Sequence, residues 1–255
     1  MTELLTLVRS IVTYASVLAY ILVAGPMGLL VAVVFRWKRG LYALGHGGVW
    51  LALTLAGIRY RVAGAGRNRV PATAVVFCSN HESNVDPPVL FQALHPQLHV
   101  LYKAELHKFP IMGTVFDVGG FVPIDRGDRD KAMGSIARGA EALRAGNSFL
   151  IFPEGTRSRT GHLLPFKKGG FIMAIQAQVP IVPVAVQGGR AAMRKGSALV
   201  RQVRVSVRIG TPIPTAGLTM DDRDDLIDRV RRQVELLLDE GSLWDVAGPS
   251  RRPRR

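Results

Sequence analysis

The chain of 255 residues is poor in cysteine and in acidic residues. Its single cysteine, Cys78, excludes an internal disulfide and lies in the apolar run AVVFC, where a small buried thiol is expected. Lys and Arg together number 33 against 19 Asp and Glu, which gives a net charge of +14. A balance this basic implies a partner of opposite sign: nucleic acid, an anionic membrane surface or a phosphorylated substrate.

Three further absences narrow the classes of function. The six histidines show no metal-ligand spacing, since His95 and His99 are four residues apart but flank a predicted turn. No Gly-x-Ser-x-Gly elbow exposes a serine such as Ser83 as a nucleophile. Basic side chains are not interleaved with aromatic ones on one element, as in nucleic-acid modules. The sequence therefore disfavours a metal site and a covalent serine mechanism, and only the net charge supports a membrane-tethered nucleic-acid-binding protein.

The N-terminal quarter contains two long runs without charge, residues 10–35 and 40–58. The first is long enough as a helix to cover ~39 Å, against a hydrocarbon core of ~30 Å. Basic residues close both runs, so we predict a membrane-inserted helical hairpin over residues 1–60. Glycines and a proline interrupt the runs, which favours insertion into one leaflet over a full span. A signal peptide is the alternative, but its basic start is missing.

Beyond residue 60, short apolar runs alternate with helical stretches. The apolar runs predict strands over residues 74–79, 99–103, 149–152, 181–187 and 203–209. Helical periodicity predicts helices over residues 131–145 and 221–240. The alternation indicates an α/β domain over residues 61–247, with a mixed, largely parallel sheet flanked by helices. Residues 248–255 predict a basic disordered tail, and the basic stretch 190–208 fits a solvated strand face or a membrane-facing patch.

A polar loop follows the predicted strand 74–79. His81 lies just after the end of this strand, where α/β active sites form. A histidine accepts a proton from a hydroxyl near neutral pH, and a carboxylate on its other nitrogen fixes the tautomer and stabilises the imidazolium. Asp86, five residues on, is close enough across a tight turn to be that carboxylate. Alone the spacing is weak, because a chain of this composition contains it by chance roughly 0.3 times.

A second polar loop, FPEGTRS, ends the predicted strand 149–152. Its charged and hydroxyl groups need partners unless they face a cleft. Arg157 carries the planar guanidinium that grips a phosphate through two hydrogen bonds, and the alternative is an internal pair with Glu154 that braces the turn. Between the two loops lie Lys103 in LYKAEL and Arg126 in GGFVPIDR, and the run VPIVPV comes later.

The four blocks NHESNVD, GGFVPIDR, FPEGTRS and VPIVPV resemble, in this order, the 1-acylglycerol-3-phosphate acyltransferase family over about residues 80–186. Each block is modest alone, but together they are highly specific. The resemblance implies that His81 and Asp86 are the catalytic HxxxxD pair. It assigns acceptor binding to Lys103, Arg126, Glu154, Gly155, Thr156 and Arg157.

The resemblance further implies that a fatty acyl group moves from acyl-CoA or acyl carrier protein to the sn-2 hydroxyl of 1-acylglycerol-3-phosphate, a lysophospholipid acceptor. His81 would deprotonate the hydroxyl for a single displacement without a metal or cofactor. The expected place is the cytoplasmic face of the cell membrane, with anionic membrane lipid and no nucleic acid as partners. Other acceptors stay open, namely glycerol-3-phosphate, a lyso-ornithine lipid or another lysophospholipid, although the basic residues favour a phosphate monoester.

Overall fold

Two N-terminal helices precede a seven-stranded sheet that is covered by helices on both faces. The structure, a computed structural model, describes residues 2–64, 73–94, 97–109, 111–125, 129–193 and 197–245. The strands are β1 (Arg59–Gly64), β2 (Val76–Ser79), β3 (Leu98–Lys103), β4 (Val122–Ile124), β5 (Ser148–Ile151), β6 (Ile181–Gln187) and β7 (Arg204–Ile209). The helices are α1 (Thr2–Val34), α2 (Lys38–Ala56), α3 (Asp86–Ala93), α4 (Met112–Gly119), α5 (Arg129–Arg144), α6 (Gly169–Ala177) and α7 (Arg223–Asp239), with a 3-10 helix over Ala104–Lys108.

The strand order is β1-β7-β6-β2-β5-β3-β4, and every neighbouring pair is parallel except β6 and β7. The predicted mixed, largely parallel sheet is therefore confirmed. Strands β6, β2, β5, β3 and β4 all end at one edge of the sheet, which is also where β7 and β1 begin. Loops that follow these carboxyl ends are the usual place for an α/β active site.

Alternate residues of β2 explain why the central strands are apolar without a break. Phe77 faces the cluster that includes Leu53 of α2 and Leu90 of α3. Cys78 faces the opposite cluster, which includes Phe171 of α6 and further side chains from α5 and α7. Both β2 residues are fully buried, and a strand with two covered faces needs apolar side chains on both. Burial of a side chain such as Phe77 contributes roughly 1.5–3 kcal/mol to folding.

The N-terminal helices are attached to the sheet domain but leave a long apolar surface. Among the described residues one helix, Glu3–Val34, is long and apolar enough to cross a membrane. Near its start the Tyr14 hydroxyl donates to the carbonyl of Ala198 at 2.7 Å, and the amide of Val200 donates to the Ser10 hydroxyl at 2.9 Å. Exposed apolar side chains run along the helix and just beyond it, among them Leu4, Leu5, Ile11, Leu18, Leu22, Val23, Leu30, Val33, Phe35 and Trp37.

The predicted strands and helices are all present, with ends within two residues of their predicted bounds. Phe152 lies one residue beyond the end of β5, contrary to the prediction, and its ring stacks on His81 in the loop that follows β2. Part of the basic stretch 190–208 belongs to the packed sheet, since Arg208 in β7 pairs with Glu240 at 2.6 Å. The tail predicted over residues 248–255 lies outside the described residues.

Candidate active site

The predicted His81 and Asp86 pair lies in the loop between β2 and α3. Nδ1 of His81 is 2.9 Å from Oδ2 of Asp86, whose side chain is fully buried. The same oxygen accepts the backbone N–H groups of Glu82 and Ser83, each at 2.7 Å. Because a carboxylate only accepts hydrogen bonds, the neutral imidazole carries its proton on Nδ1 and keeps the lone pair of Nε2. The His81 side chain is 16% exposed, enough to meet a substrate.

Local sequence explains why the aspartate is held so firmly. Asp86 is the first residue of α3, and an acidic side chain is favoured in the first turn of a helix by the helix dipole. Prolines follow it at the first positions, where their missing N–H groups cost nothing. Asn80 fixes the start of the loop, since its side chain exchanges two hydrogen bonds of 2.7 and 2.8 Å with the backbone of Val186 in β6.

The FPEGTRS turn after β5 supports the histidine from the other side. Oε1 of Glu154 accepts the His81 N–H at 2.8 Å, and Oε2 accepts the Leu164 N–H at 2.9 Å. The Phe152 ring stacks on the imidazole with 4.2 Å between centroids. Burial raises the pKa of the Glu154 carboxyl, which is 2% exposed. This placement differs from the expected acceptor contact of Glu154, because backbone amides occupy both oxygens.

Arg157 is the cation of this turn that is free to meet a ligand. It is half-buried and forms no hydrogen bond or ion pair with any residue that the structure describes, so the alternative pair with Glu154 is not formed. Thr156 is exposed beside it, and Gly155 has a φ of 66°, which a residue with a side chain rarely adopts. The turn therefore presents a guanidinium and a hydroxyl at the edge of the sheet.

The other two predicted binding residues are Lys103 and Arg126. Lys103 is the last residue of β3, which neighbours β5, and its ammonium is 3.0 Å from the Glu105 carboxylate on the exposed surface. Arg126 lies outside the described residues, but β4, two residues before it, pairs with β3. The sheet order thus gathers the ends of β2, β5, β3 and β4, from which these predicted residues come, at one edge.

Residues 61–187 match the sequence model of a family described as Acyltransferase. A 1-acyl-sn-glycerol-3-phosphate acyltransferase of Limnanthes douglasii is 31% identical over 234 residues, which cover 89% of this chain and 80% of the relative. The chain belongs to the 1-acyl-sn-glycerol-3-phosphate acyltransferase family. A human member, 1-acyl-sn-glycerol-3-phosphate acyltransferase alpha, is 36% identical over 183 residues, or 71% of this chain and 64% of that relative.

A solved acyltransferase structure has the same fold. It is the 1-acyl-sn-glycerophosphate (LPA) acyltransferase PlsC of Thermotoga maritima, with a TM-score of 0.80 over 95% of this chain and 100% of that chain. The two sequences are 24% identical, so the likeness concerns the fold. It confirms the predicted mixed sheet flanked by helices behind an N-terminal apolar helix.

Two features of this acyltransferase site were not predicted from the sequence. Lys167 lies across the FPEGTRS turn: a Cβ added to Gly155 would stand 2.9 Å from the Lys167 Nζ, and the Lys167 N–H donates to the Pro153 carbonyl at 2.7 Å. The only signal was the basic pair in PFKKG, 10 residues after the arginine of FPEGTRS. A second cation therefore stands beside the turn that carries Arg157.

The second unpredicted feature is Glu82, which joins the loop of His81 to the turn after β6 through hydrogen bonds. Its Oε1 accepts the N–H groups of Gly189 at 2.7 Å and Arg190 at 3.2 Å. Burial raises the pKa of the Glu82 carboxyl, and the negative charge of Asp86 raises it further. A side chain at Gly189 would collide with Asp86, since an added Cβ would lie 2.7 Å from Oδ1. The bond between Glu82 and Gly189 could not be predicted, because it joins residues 107 positions apart.

Proposed function

We propose that this enzyme transfers a fatty acyl group from a thioester donor to the sn-2 hydroxyl of 1-acylglycerol-3-phosphate, giving phosphatidic acid. The observation that carries the proposal is the buried Asp86 carboxylate, which fixes His81 with its Nε2 available as a base beside an unpaired Arg157. The names of the related acyltransferases agree with this acceptor. Such an enzyme completes a step of phospholipid biosynthesis at a membrane.

The proposed reaction is a single displacement. Nε2 of His81 accepts the proton of the sn-2 hydroxyl as that oxygen attacks the thioester carbonyl. Asp86 stabilises the imidazolium that forms. When the C–S bond breaks, the departing thiolate takes the proton from His81, and the histidine is ready for the next turnover. Every proton that leaves the acceptor thus reaches the thiol product, and no metal or cofactor takes part.

The basic residues around the turn after β5 suit the phosphate of the acceptor. Arg157 offers two parallel N–H donors to a phosphate monoester, and Lys167 beside the same turn offers a compact charge. Lys103 stands at the end of β3, and we keep it, Thr156 and Arg126 as proposed acceptor contacts. We assign Glu154 the separate role of orienting His81, because its oxygens hold the backbone of both loops.

We further propose that α1 and α2 anchor the enzyme in one leaflet, with the catalytic domain on the cytoplasmic face of the cell membrane. The apolar surface of α1 supports burial in lipid, and the net charge of +14 supports contact with anionic headgroups. A lysophospholipid then reaches the site from the bilayer in which it dissolves, and no nucleic acid is needed to explain the charge.

Product analysis with detergent-solubilised enzyme tests the proposed acceptor. Acyl-CoA and acyl carrier protein serve in turn as donors for 1-acylglycerol-3-phosphate, glycerol-3-phosphate, a lyso-ornithine lipid and lysophosphatidylcholine, which lacks a phosphate monoester. We expect phosphatidic acid, acylated at sn-2, to form faster than any other product. Its kcat/KM should exceed those for the lyso-ornithine lipid and lysophosphatidylcholine at least ~10-fold, since losing a charged hydrogen bond to the phosphate monoester costs about that much in affinity. Faster acylation of any other acceptor would refute 1-acylglycerol-3-phosphate as the preferred acceptor.

A further inference from the structure

A cavity of about 480 Å³ opens at β1, the edge strand of the sheet, apart from the loops that carry the catalytic pair. The residues that line it include Trp50 on α2, Trp244 beyond α7, and Arg59, Tyr60 and Arg61 of β1. None of its lining residues is acidic. The cavity therefore combines flat aromatic surfaces with positive charge, and the acyl-transfer chemistry proposed above makes no use of it.

Trp244 is a rigid platform in this cavity. Its indole N–H donates to the Val205 carbonyl of β7 at 3.1 Å, and the preceding amide, of Leu243, donates to the Ser206 hydroxyl at 2.9 Å. The Arg61 guanidinium carbon lies 4.1 Å from the ring centroid, and that of Arg204 lies 5.2 Å from it. Two cations are therefore held beside one fixed ring.

The arginines of the cavity lack acidic partners. Arg59 and Arg61 line the cavity, and Arg204 on β7 is the register neighbour of Arg59 beside it. These three arginines form no ion pair to any carboxylate in the described part of the chain. Nearby arginines do find such partners, as Arg208 does with Glu240 at 2.6 Å. Arg61 uses one of its N–H groups, since Nη1 donates to the Leu243 carbonyl at 3.0 Å, and its other donors are left for a ligand. Guanidinium groups without a carboxylate partner beside an aromatic ring suit a ligand that has both phosphates and a planar base.

The position of the cavity relates it to the catalytic pair. β1 begins at the end of the sheet where the carboxyl end of β2 lies. The two strands are three positions apart in the order β1-β7-β6-β2. At ~4.8 Å between strands this is roughly 14 Å from the loop of His81. A pantetheine arm has a backbone about as long as four to five residues, and reaches ~13–18 Å when extended. An extended pantetheine arm is therefore long enough to reach from a nucleotide in the cavity to the loop of His81.

We infer that this cavity binds the phosphorylated adenosine of a coenzyme A thioester, with the adenine against Trp244 and the phosphates on Arg59, Arg61 and Arg204. The inference rests on the proposed acyl transfer, because it supplies the donor for that reaction. Two other roles of these arginines give different results. If they only prevent strand pairing at the edge of the sheet, the cavity binds no nucleotide. If the cavity holds a lipid headgroup, it binds glycerol phosphate at least as tightly as the nucleotide.

Direct binding tests the site without turnover. We expect adenosine 3′,5′-bisphosphate to bind the detergent-solubilised full-length protein in calorimetry, with a Kd raised ~10-fold or more by Arg61→Gln or Arg204→Gln, since each removes a charged hydrogen-bond donor. Trp244→Phe should bind more tightly than Trp244→Leu. Arg232→Gln, an exposed arginine of α7 outside the cavity, is the matched control and should bind as the wild type does. Absence of wild-type binding, an equal loss in the control, or tighter binding of glycerol phosphate overturns the inference.

Kinetics with a shortened donor complete the test. We expect the wild type to have a KM at least ~10-fold lower for acyl-CoA than for the same acyl chain on pantetheine alone, and Arg61→Gln to remove that difference. The KM for the lysophospholipid should not change. Equal KM values for both donors in the wild type contradict the nucleotide site. If the proposed acyl transfer is wrong and the nucleotide site is right, the protein binds the nucleotide and forms no phosphatidic acid. This result distinguishes failure of the proposed function from failure of the nucleotide site.

Discussion

At the scale of single residues, Glu154 and Arg157 have different roles in the turn after β5. Glu154 is buried and holds two backbone amides, whereas Arg157 is half-buried and has no partner among the described residues. The carboxylate therefore shapes the site, and the guanidinium is left to bind. Two other residues differ in the same way. Asp86 is a structural carboxylate that orients the His81 imidazole, whereas Lys167 is a cation that lies across the turn.

Substitution of Arg157 tests its role in binding. We expect Arg157→Ala to raise the KM for the acceptor by ~10- to 150-fold, because a charged hydrogen bond to phosphate contributes ~1.5–3 kcal/mol, and to leave the KM for the donor unchanged. Arg157→Lys should retain part of the affinity, since it keeps the charge and loses the fork. Steady-state kinetics with both substrates measure this. Equal losses for donor and acceptor, with a lowered Tm, would make Arg157 a structural residue instead.

Glu82 gives a pH-dependent prediction. Its carboxyl has a raised pKa in the folded protein, so between the ordinary glutamate value and that raised value the folded state binds more protons than the unfolded state. Stability from this group is therefore lost as the pH rises through that window. We expect the Tm of Glu82→Gln to fall less than that of the wild type over the same rise, whereas Glu141→Gln, an exposed control, should follow the wild type. Parallel curves for Glu82→Gln and wild type would contradict the assignment.

At the scale of elements, buried strands were predictable and edge elements were not. β2, β5 and β6 are apolar at nearly every position because both faces are covered, and such runs are visible in the sequence. β1 was missed, because Arg59 and Arg61 alternate with Tyr60 and Val62 and resemble the charged end of the hairpin. β4 has three residues, too few for a periodic signal.

The His81–Asp86 pair was predictable for a different reason. His81 and Asp86 are five residues apart, so one motif contains both. The bonds from Glu82 to Gly189 and from Glu154 to His81 join residues 107 and 73 positions apart, and no local pattern encodes them. The sequence therefore predicted that His81 and Asp86 pair, while the residues that hold this pair in place are evident only from the assembled sheet.

The two N-terminal helices differ in how they join the domain, which predicts the effect of truncation. α2 sends Leu53 and Ala56 into the core, whereas much of α1 is exposed and apolar. We expect deletion of residues 1–35 to remove most membrane association and to leave weak, salt-sensitive binding through the basic surface. Deletion of residues 1–58 should in addition lower the Tm, since loss of a buried leucine costs ~2–5 kcal/mol. Fractionation at low and high salt distinguishes these variants.

Tight, salt-resistant membrane binding by the protein without α1 would locate the anchor elsewhere. An unchanged Tm after the longer deletion would mean that α2 is not part of the core. Solubility without detergent is a third readout, because α1 carries a continuous row of exposed apolar side chains that water disfavours.

At the scale of the whole molecule, one edge of the sheet collects the parts of an acyltransferase. The proposed base and its aspartate follow β2, the cations proposed to bind the acceptor follow β5 and β3, and the proposed nucleotide cavity lies where β1 begins. The apolar helix α1 is attached to the same domain through Tyr14 and Ser10. A lipid acceptor and a thioester donor can thus meet at His81 from the bilayer and from water respectively.

The most direct test of this account is the rate at which His81→Ala forms phosphatidic acid from 1-acylglycerol-3-phosphate under saturating substrates. General-base catalysis contributes ~10²- to 10⁴-fold, so we expect turnover at least ~10²-fold below the wild type. Circular dichroism and the Tm should match the wild type, since His81 is partly exposed and packs chiefly on the Phe152 ring. A folded His81→Ala protein with turnover within a few-fold of the wild type would contradict the account.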